Sequence, residues 1–260
     1  MSSERRSQLG IDVGGTSIKG AVVDLRTGEL AGAIHSELTP SAATPDDVAA
    51  AIGRIASAVE WRGPVGVALP GVINGLTLRH APNLAAEWAT EGALTDLRAP
   101  TGANAVTIND ADAAGLAELT YGNTGLESHG LTIVLTFGTG IGSALLHNGE
   151  LIANSELGGL VGPEGCFEEL ASGRAISAER LTPCDWARRA QPFFDEIEVI
   201  LNPARWVVGG GLSESFDSFA SKLKLSKPIS VAHLGVHAGI VGAAVFAAHE
   251  HRMRMPELVR

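Results

Sequence analysis

The stretch Thr107-Ile108-Asn109-Asp110-Ala111-Asp112-Ala113-Ala114-Gly115 indicates the fold class, because an apolar run ends there in two polar residues and an alanine-rich helical pattern follows. A strand that feeds a helix places Asp110 at the end of a strand, where open α/β sheets bind ligands. A carboxylate in that position can accept the proton of a substrate hydroxyl, and Asn109 can hydrogen-bond the same substrate. The alternative is that both residues only cap the helix.

The composition of the 260-residue chain is typical of a glycine-rich α/β protein with two modest lobes. Apolar residues make up 45% of the chain and aromatic residues only 5%, and 32 residues are glycine. The formal net charge of -10 argues against a nucleic-acid partner, which would require a cationic surface. The chain has two cysteines, no signal-peptide pattern and no apolar run that could span a membrane, so we expect a soluble cytoplasmic protein without a membrane partner.

The N-terminal region predicts a meander of three antiparallel strands, Leu9–Val13, Ile18–Leu25 and Leu30–His35. Its first turn, Gly14-Gly15-Thr16, combines a hydroxyl donor with glycines, which let backbone N–H groups approach an anion. An ordinary Gly-Gly hairpin is the alternative, but it does not explain Asp12 on the strand before the turn. A buried acid beside a phosphate-sized turn is suited to hold Mg²⁺, directly or through water.

A second strand-turn-strand pattern repeats this arrangement in the C-terminal half. The apolar strand Leu131–Phe137 leads into Gly138-Thr139-Gly140-Ile141-Gly142-Ser143, and a returning strand follows. Because Ser143 replaces the third glycine of the dinucleotide-binding fingerprint and no helix follows, a dehydrogenase is excluded, and the chain has no Gly-Lys-Ser/Thr loop either. Two such turns predict a duplicated phosphate-binding architecture, with a cleft between the lobes.

Other polar and glycine-rich segments supply candidate ligands for a substrate. Glu156 and Glu168, together with the Asn109-Asp110 pair, would make a polar pocket suited to a sugar, although each glutamate taken singly is more often a solvated surface acid. Asn83 is either a turn residue or a donor to a sugar hydroxyl. The late segment Gly209-Gly210-Gly211 either lets a flat base lie against the backbone or simply connects a strand to a helix.

Taken in order, these motifs resemble those of the repressor–open-reading-frame–kinase (ROK) family of sugar kinases, within the actin-like ATPase (ribonuclease H-like) superfold. The resemblance rests on the segments Gly10–Thr16, Leu69-Pro70-Gly71, Asn109-Asp110, Phe137–Gly142, Glu156-Leu157-Gly158 and Val208–Gly211. The bacterial polyphosphate glucokinase branch, whose enzymes phosphorylate glucose from polyphosphate, ATP or both, is the most similar, over Ser17–Gly20, Asn109–Glu118 and Leu135–Ala144.

The resemblance implies an actin-like α/β fold of two lobes with a central cleft. The small α/β lobe would comprise residues 1–109, completed by a C-terminal helix over residues 238–260, and the large α/β lobe would comprise residues 110–237. The resemblance also implies a homodimeric glucokinase-type phosphotransferase of carbohydrate metabolism, with Mg²⁺ as its cofactor and polyphosphate or ATP as its phosphoryl donor.

By the same resemblance, Asp110 would be the general base that deprotonates the 6-hydroxyl of glucose or a related hexose. The other sugar hydroxyls would be held by four side chains, those of Asn83, Asn109, Glu156 and Glu168. The phosphoryl donor would be bound by residues of the glycine turns and one lysine: Gly14, Gly15, Thr16, Lys19, Gly138, Thr139, Gly140, Gly210 and Gly211. Asp12 would help to place Mg²⁺, in a phosphoryl transfer that depends mainly on positioning and charge neutralisation.

One position departs from the family pattern. Glycine occupies position 159, where the family has a histidine that contacts the sugar and in many members also helps to bind a structural zinc with a cysteine cluster. Only Cys166 resembles that cluster, so we expect no zinc site. Loss of one hydrogen bond to a sugar would lower its affinity by a few-fold to about tenfold. The alternative function is therefore a catalytically weak ROK paralogue that binds a sugar or a phosphorylated ligand as a sensor.

Overall fold

The computed structural model describes residues 6–81, 83–95, 97, 105–122 and 129–254, and their contacts group them into two compact units. The first unit contains the described residues up to Tyr121 and those from His237 onward, and the second contains the described residues from Gly122 to Val236. The predicted lobe boundary after residue 109 falls between a strand and a helix of the first unit. Residues 255–260 of the predicted C-terminal helix lie outside the described residues.

Runs of strands are followed by one or more helices along the described chain. The strands are β1 (Ser7–Val13), β2 (Ser17–Asp24), β3 (His35–Leu38), β4 (Val65–Leu69), β5 (Val72–Asn74), β6 (Thr77–Arg79), β7 (Ala105–Asn109), β8 (Leu131–Phe137), β9 (Ile141–His147), β10 (Glu150–Ile152), β11 (Val161–Gly162), β12 (Gly165–Cys166), β13 (Arg205–Gly210) and β14 (Ile229–Val231). The helices are α1 (Pro45–Ala58), α2 (Asp110–Tyr121), α3 (Phe167–Ala171), α4 (Gly173–Glu179), α5 (Pro183–Leu201), α6 (Phe216–Ala220) and α7 (Ala238–Arg254). Short 3₁₀ turns lie at Ala86–Ala89, Leu157–Gly159, Gly211–Ser215 and Gly235–His237.

Each unit is built on a five-stranded sheet, and the two sheets share one pattern of strand order and direction. In the first unit the order is β3-β2-β1-β4-β7, with antiparallel pairing from β3 to β1 and parallel pairing from β1 to β7. In the second unit the order is β10-β9-β8-β13-β14, with the same change from antiparallel to parallel pairing at β8. The repeated strand-turn-strand pattern predicted from the sequence is therefore present in both units.

The prediction of a third strand over Leu30–His35 is wrong, because β3 begins at His35 and ends at Leu38. Leu30 forms an isolated bridge with Val23, on β2. Gly32 then adopts a φ of 152°, which side chains rarely allow, and the chain bends away before it pairs again with β2. The apolar pattern located the region of the strand but did not reveal this bend.

Helix α7 lies against β1 and β4 because two sheet residues beneath it have no side chain. A Cβ atom on Gly10 would collide with the carbonyl of Ile240, and one on Gly66 would collide with the carbonyl of Ala243. A Cβ atom on Gly242 would likewise collide with the backbone of α2. These close approaches hold α7 against both the sheet and α2, the helix that begins at the predicted catalytic aspartate.

The core of the second unit is rich in aromatic residues and includes the end of the strand that leads into its glycine turn. Phe137, the last residue of β8, packs edge-to-face on Trp186 with ring centroids 5.5 Å apart, and Trp186 packs in the same way on Phe219. Phe194 and Trp206 form a further edge-to-face pair at 4.9 Å. Edge-to-face pairs restrict ring orientation, so this core fixes the end of β8.

Candidate active site

The first glycine turn, Gly14–Thr16, connects β1 to β2. The N–H of Gly14 donates to the carbonyl of Ser17 at 3.0 Å, and the hydroxyl of Thr39 donates to the carbonyl of Gly14 at 2.6 Å. The backbone N–H of Thr39 also donates to the carbonyl of Thr16 at 3.0 Å. The base of the turn is therefore closed by hydrogen bonds, whereas Gly15 and Thr16 at its tip are exposed.

Asn83 lies against the first glycine turn. A Cβ atom on Gly15 would lie 3.2 Å from both Cγ and Nδ2 of Asn83, so the absence of a side chain at position 15 makes room for the amide group. Asn83 is itself exposed. The structure thus brings together a predicted donor-binding residue and a predicted sugar-binding residue.

Asp12 lies on β1 in a position that disfavours its negative charge. It pairs across the strands with the exposed Lys19 of β2, and a Cβ atom on Gly239 of α7 would lie 2.9 Å from its carboxyl group. Burial raises the pKa of Asp12 to about 6, and the nearby charge of Lys19 partly opposes that rise. A partly desolvated carboxylate of this kind fits Mg²⁺, which proteins often bind through one or two carboxylates together with substrate phosphates.

Asn109 and Asp110 stand at the junction of β7 and α2, as predicted. Asn109 is buried, its side-chain oxygen accepts the N–H of Asp112 at 2.9 Å, and its amide donates to the carbonyl of Gly71 at 3.0 Å. It therefore caps α2 and ties the helix to the loop after β4, although an amide group has a second N–H and a second lone pair. Asp110 is partly exposed, and one carboxylate oxygen accepts the N–H of Ala111 at 2.8 Å.

The second glycine turn, Gly138–Gly140, connects β8 to β9 in the other unit. It is closed by the N–H of Gly138, which donates to the carbonyl of Gly140 at 3.0 Å. The carbonyl of Gly138 accepts the backbone N–H of Arg174 at 3.1 Å. A Cβ atom on Gly173 would lie only 2.7 Å from that carbonyl, so the start of α4 can approach the turn because residue 173 is glycine.

Glu168 contacts the second glycine turn directly. Its carboxylate oxygen Oε2 accepts the N–H of Ile141, the residue after the turn, at 3.1 Å. A Cβ atom on Gly140 would collide with the same oxygen. The structure therefore brings a predicted sugar-binding residue onto the predicted donor-binding turn, a contact between residues far apart in the sequence.

The loop that carries Glu156 is held to β9 by two serines. The hydroxyl of the buried Ser143 donates to the carbonyl of Ser155 at 3.0 Å, and that of Ser155 donates to the carbonyl of Ser143 at 2.8 Å. The N–H of Leu157 donates to the Ser143 hydroxyl at 3.0 Å. Glu156 is exposed, and Gly159 is exposed with open space where a side chain would lie.

In the third predicted glycine segment, Gly210 is the last residue of β13 and Gly211 begins the 3₁₀ turn that leads into α6. Gly210 has a φ of 73° and pairs with Phe137 of β8, whose carbonyl would lie 2.6 Å from a Cβ atom at position 210. The hydroxyl of Ser213 donates to the carbonyl of Gly210 at 2.6 Å. This segment therefore lies beside the strand that leads into the second glycine turn.

The sequence analysis did not identify three residues that shape these sites. Thr39 holds the first turn, Gly239 makes room for the Asp12 carboxyl group, and Ser155 pairs with Ser143. For Ser155 the sequence held an indirect signal, because its partner Ser143 replaces a glycine in a glycine-rich stretch. Nothing in the local sequence marks Thr39 or Gly239, since each acts on a residue that is distant along the chain.

A further feature of the described part of the chain is the distribution of the side chains that could bind a metal ion. Among the residues that the structure describes, no group of three or more histidine, cysteine, aspartate or glutamate side chains is arranged to hold a metal ion. Cys166 lies with its sulfur 3.6 Å from the carbonyl of Gly158, and Cys184 is exposed on α5. No helix in the described part of the chain is long and apolar enough to cross a membrane.

Comparison with known proteins defines first the fold and then the family. The crystal structure of the inorganic polyphosphate/ATP-glucomannokinase from Arthrobacter sp. strain KM is 38% identical and superposes with a TM-score of 0.88, covering 95% of this chain and 100% of that one. A ROK family glucokinase from Streptomyces griseus, solved with glucose and AMPPNP, superposes with a TM-score of 0.78 at 23% identity, over 94% of this chain and 99% of that one. The chain thus has the actin-like ATPase fold of the ROK sugar kinases, as predicted.

The sequence comparisons give the family. The ROK family model matches residues 8–192, and the polyphosphate glucokinase of Mycobacterium tuberculosis (strain CDC 1551 / Oshkosh) is 44% identical over 246 residues, or 94% of this chain and 92% of that protein. This chain belongs to the ROK family.

Proposed function

We propose that this chain is a sugar kinase that transfers a phosphoryl group from polyphosphate or ATP to the 6-hydroxyl of glucose or a related hexose. The observation that carries the proposal is the junction of β7 and α2. There Asp110 is the first helical residue, partly exposed, in a chain 44% identical to a polyphosphate glucokinase. The position at the end of a strand is where an α/β sheet presents catalytic groups to a ligand.

Asp110 acts as the general base. Its carboxylate accepts the proton of the sugar 6-hydroxyl as that oxygen forms a bond to the terminal phosphorus of the donor. The bridging P–O bond of the donor breaks in the same step, and the shortened donor leaves with the electron pair. The hydrogen bond from the N–H of Ala111, at 2.8 Å, orients the carboxylate for this transfer.

Binding of the two substrates is divided among the remaining predicted residues. Four side chains hold the other sugar hydroxyls: Asn83, Asn109, Glu156 and Glu168. The backbone of the glycine turns and the ammonium group of Lys19 bind the phosphates of the donor, because exposed N–H groups and a cation complement their negative charge. Gly210-Gly211 accommodates the base of ATP.

Mg²⁺ is the proposed cofactor, and it neutralises charge on the transferred phosphates when it is bound. Asp12 holds it, directly or through water. Because burial raises the pKa of Asp12 only to about 6, the carboxyl group is mostly ionised at neutral pH and available to a cation. A homodimer and a cytoplasmic location belong to the same proposal, and light scattering is expected to give twice the 26.8 kDa of one chain.

A catalytically weak sensor is the alternative function, and Gly159 is the residue that motivates it. Position 159 is exposed, and a Cβ atom there would meet nothing within 4 Å, so a side chain can start at this position without displacing a neighbour. Gly159→His is expected to raise glucose affinity by a few-fold to about tenfold. Sugar binding in calorimetry without turnover from either donor would favour the sensor.

The test of the kinase is Asp110→Asn, which keeps the size of the side chain and an acceptor for the Ala111 N–H but removes the base. We expect kcat to fall by about 10²–10⁴-fold while the KM for glucose changes by only a few-fold. Asp46→Asn is the matched control, because Asp46 is an exposed acid in the first turn of α1. Equal kcat values for wild type and Asp110→Asn would remove Asp110 from the role of base.

A further inference from the structure

The second glycine turn is held at both ends by one short segment, Glu168–Arg174, which runs from α3 into α4. At one end, the backbone N–H of Arg174 donates to the carbonyl of Gly138 at 3.1 Å. At the other end, the carboxylate of Glu168 accepts the N–H of Ile141 at 3.1 Å. The first of these bonds does not depend on the side chain at position 174, whereas the second depends entirely on the side chain at position 168.

The backbone that presents Glu168 is itself fixed. Its carbonyl accepts the N–H of Ser172 at 3.2 Å, and the hydroxyl of the buried Ser172 caps α4 by accepting the N–H of Ala175 at 3.3 Å. The flanking residues Phe167 and Ala171 are buried in the core of the unit. The Glu168 carboxylate is therefore held by a rigid support rather than by a loop.

The peptide groups around Ile141 connect the turn to the predicted sugar-binding residues. Glu168 bonds to the N–H of Ile141, and Gly158 packs so closely on the carbonyl of Ile141 that a Cβ atom there would collide with it. Gly158 belongs to the 3₁₀ turn that follows Glu156. One residue next to the donor turn thus contacts both segments that carry the predicted sugar-binding glutamates.

From this geometry we propose that Glu168 is a positioning residue for the phosphoryl donor. The hydrogen bond between its carboxylate and the N–H of Ile141 sets the conformation of the second glycine turn. The same hydrogen bond couples donor binding to sugar binding. The inference rests on the proposed function, because it takes the turn as a donor site and Glu168 as a sugar ligand. When a sugar hydroxyl donates a hydrogen bond to the Glu168 carboxylate, the hydrogen bond between that carboxylate and the Ile141 N–H changes in strength. This change is transmitted to the turn. Such coupling is reciprocal, so the donor changes sugar affinity by the same factor.

Two simpler roles for Glu168 make different predictions. If Glu168 only binds the sugar, its removal leaves donor affinity unchanged when no sugar is present. If Glu168 only supports the fold, its removal lowers thermal stability and weakens both ligands without changing how each affects the other. Donor binding in the absence of sugar therefore tests the first role, and the second role is tested by thermal stability and by the effect of each ligand on the affinity for the other.

The experiment uses the full chain as wild type, Glu168→Ala, Glu168→Gln and the control Glu169→Ala, an exposed neighbour on α3. Calorimetry measures the affinity for magnesium tripolyphosphate and for a non-hydrolysable MgATP analogue, each with and without glucose. Without glucose, we expect Glu168→Ala to weaken donor binding by about three- to tenfold, as for the loss of one hydrogen bond. Glu168→Gln keeps an oxygen that can accept the Ile141 N–H, so donor affinity is expected to stay within about twofold of wild type.

Each outcome decides between the roles. The proposal is supported if Glu168→Ala weakens sugar-free donor binding, glutamine restores it and the mutual effect of glucose and donor is reduced in the alanine variant. It is overturned if Glu168→Ala binds donor as wild type does, if glutamine and alanine weaken donor binding equally, or if the alanine variant keeps the wild-type mutual effect of glucose and donor. If wild type binds neither donor, the proposed function fails and this inference fails with it. Should Glu168→Ala not fold, Glu168→Asp, whose side chain is one methylene shorter, is expected to show the same donor defect.

Discussion

The two glycine turns occupy the same place in two sheets of the same strand order, yet the side chains around them differ in charge. The first turn has the neutral amide of Asn83 against Gly15, and Asp12 lies two residues before the turn on β1. The second turn has the carboxylate of Glu168 against its last residue, Gly140, with a hydrogen bond from the next residue, Ile141, and the residue two positions before the turn on β8 is Thr136.

This difference separates what the strand order decides from what individual side chains decide. In each sheet a glycine turn connects the first two strands along the chain, β1 to β2 in one sheet and β8 to β9 in the other. A carboxylate set back on the strand suits a cation that accompanies phosphates, whereas a carboxylate bonded to a backbone N–H holds the turn itself. We therefore expect the first turn to depend on a metal ion and the second turn to depend on its support from Glu168–Arg174.

Among the substitutions that compare the two turns, Asp12→Asn is expected to have the largest effect, a fall in kcat of at least about 100-fold, because it removes the carboxylate that we propose as the holder of the charge-neutralising ion. The equivalent position in the other sheet supplies the control, since Thr136→Val keeps the shape of the side chain and is expected to leave kcat within about twofold. Steady-state assays over a range of Mg²⁺ concentrations measure both. Equal losses in the two variants would mean that the sheets do not differ in this way.

The same substitution is expected to stabilise the fold at neutral pH. Burial raises the pKa of Asp12 from its ordinary value of 3.8 to about 6, so the folded protein binds this proton more tightly than the unfolded chain does. The free energy of unfolding therefore falls as pH rises from about 4 to about 6, and the total loss across that range is up to about 3 kcal/mol. Denaturant unfolding is expected to find Asp12→Asn more stable than wild type by about 1–3 kcal/mol at neutral pH and by much less near pH 4. A variant that is less stable than wild type at neutral pH would contradict the assignment.

A pair of alanine substitutions compares how rigidly the two turns are held. In Gly173→Ala the new Cβ atom lies 2.7 Å from the backbone carbonyl of Gly138. The free energy of unfolding is expected to fall by about 1–3 kcal/mol, even though alanine favours helices. In Gly15→Ala the new atom lies 3.2 Å from the flexible side chain of Asn83, so a loss below about 1 kcal/mol is expected. Thermal denaturation measures both, and the reverse order of stability would refute the comparison.

The smallest expected effects come from the hydroxyls that hold each region. Ser143→Ala removes the acceptor of the Leu157 N–H, so the loop of Glu156 loosens and the KM for glucose is expected to rise by about two- to tenfold. Thr39→Val removes the bond to the carbonyl of Gly14 and is expected to raise the KM for the donor by a similar factor. Kinetics with each substrate varied separately distinguish the two. The result against the account is a variant that raises both KM values equally.

The sequence predicted the features that depend on local chemistry. Glycine turns end apolar strands at residues 14–16 and 138–140, and a polar pair stands between a strand and a helix at residues 109–110. These patterns are readable because strand, turn and cap each require particular residue types close together in the chain. The fold class and the family resemblance followed from the order of such patterns and were confirmed by the comparisons.

The features that could not be predicted depend on contacts between distant residues. Two such hydrogen bonds join segments 27 and 38 residues apart: the Ile141 N–H donates to the carboxylate of Glu168, and the side-chain amide of Asn109 donates to the carbonyl of Gly71. The glycine at position 239 is likewise explained only by the carboxyl group of Asp12 beneath it. The bend at Gly32 was not predicted either, because an apolar run in the sequence does not show where the hydrogen bonds between two strands stop.

Phosphorus NMR of the purified chain with glucose, Mg²⁺ and either tripolyphosphate or ATP is the most direct test of the central claim, that Asp110 activates a sugar hydroxyl for phosphoryl transfer. The account predicts the signal of a sugar 6-phosphate with at least one donor, and no detectable signal over the same period with Asp110→Asn. An equal rate of product formation in the two proteins would contradict the claim, as would the absence of any sugar phosphate from a wild-type chain that binds both sugar and donor.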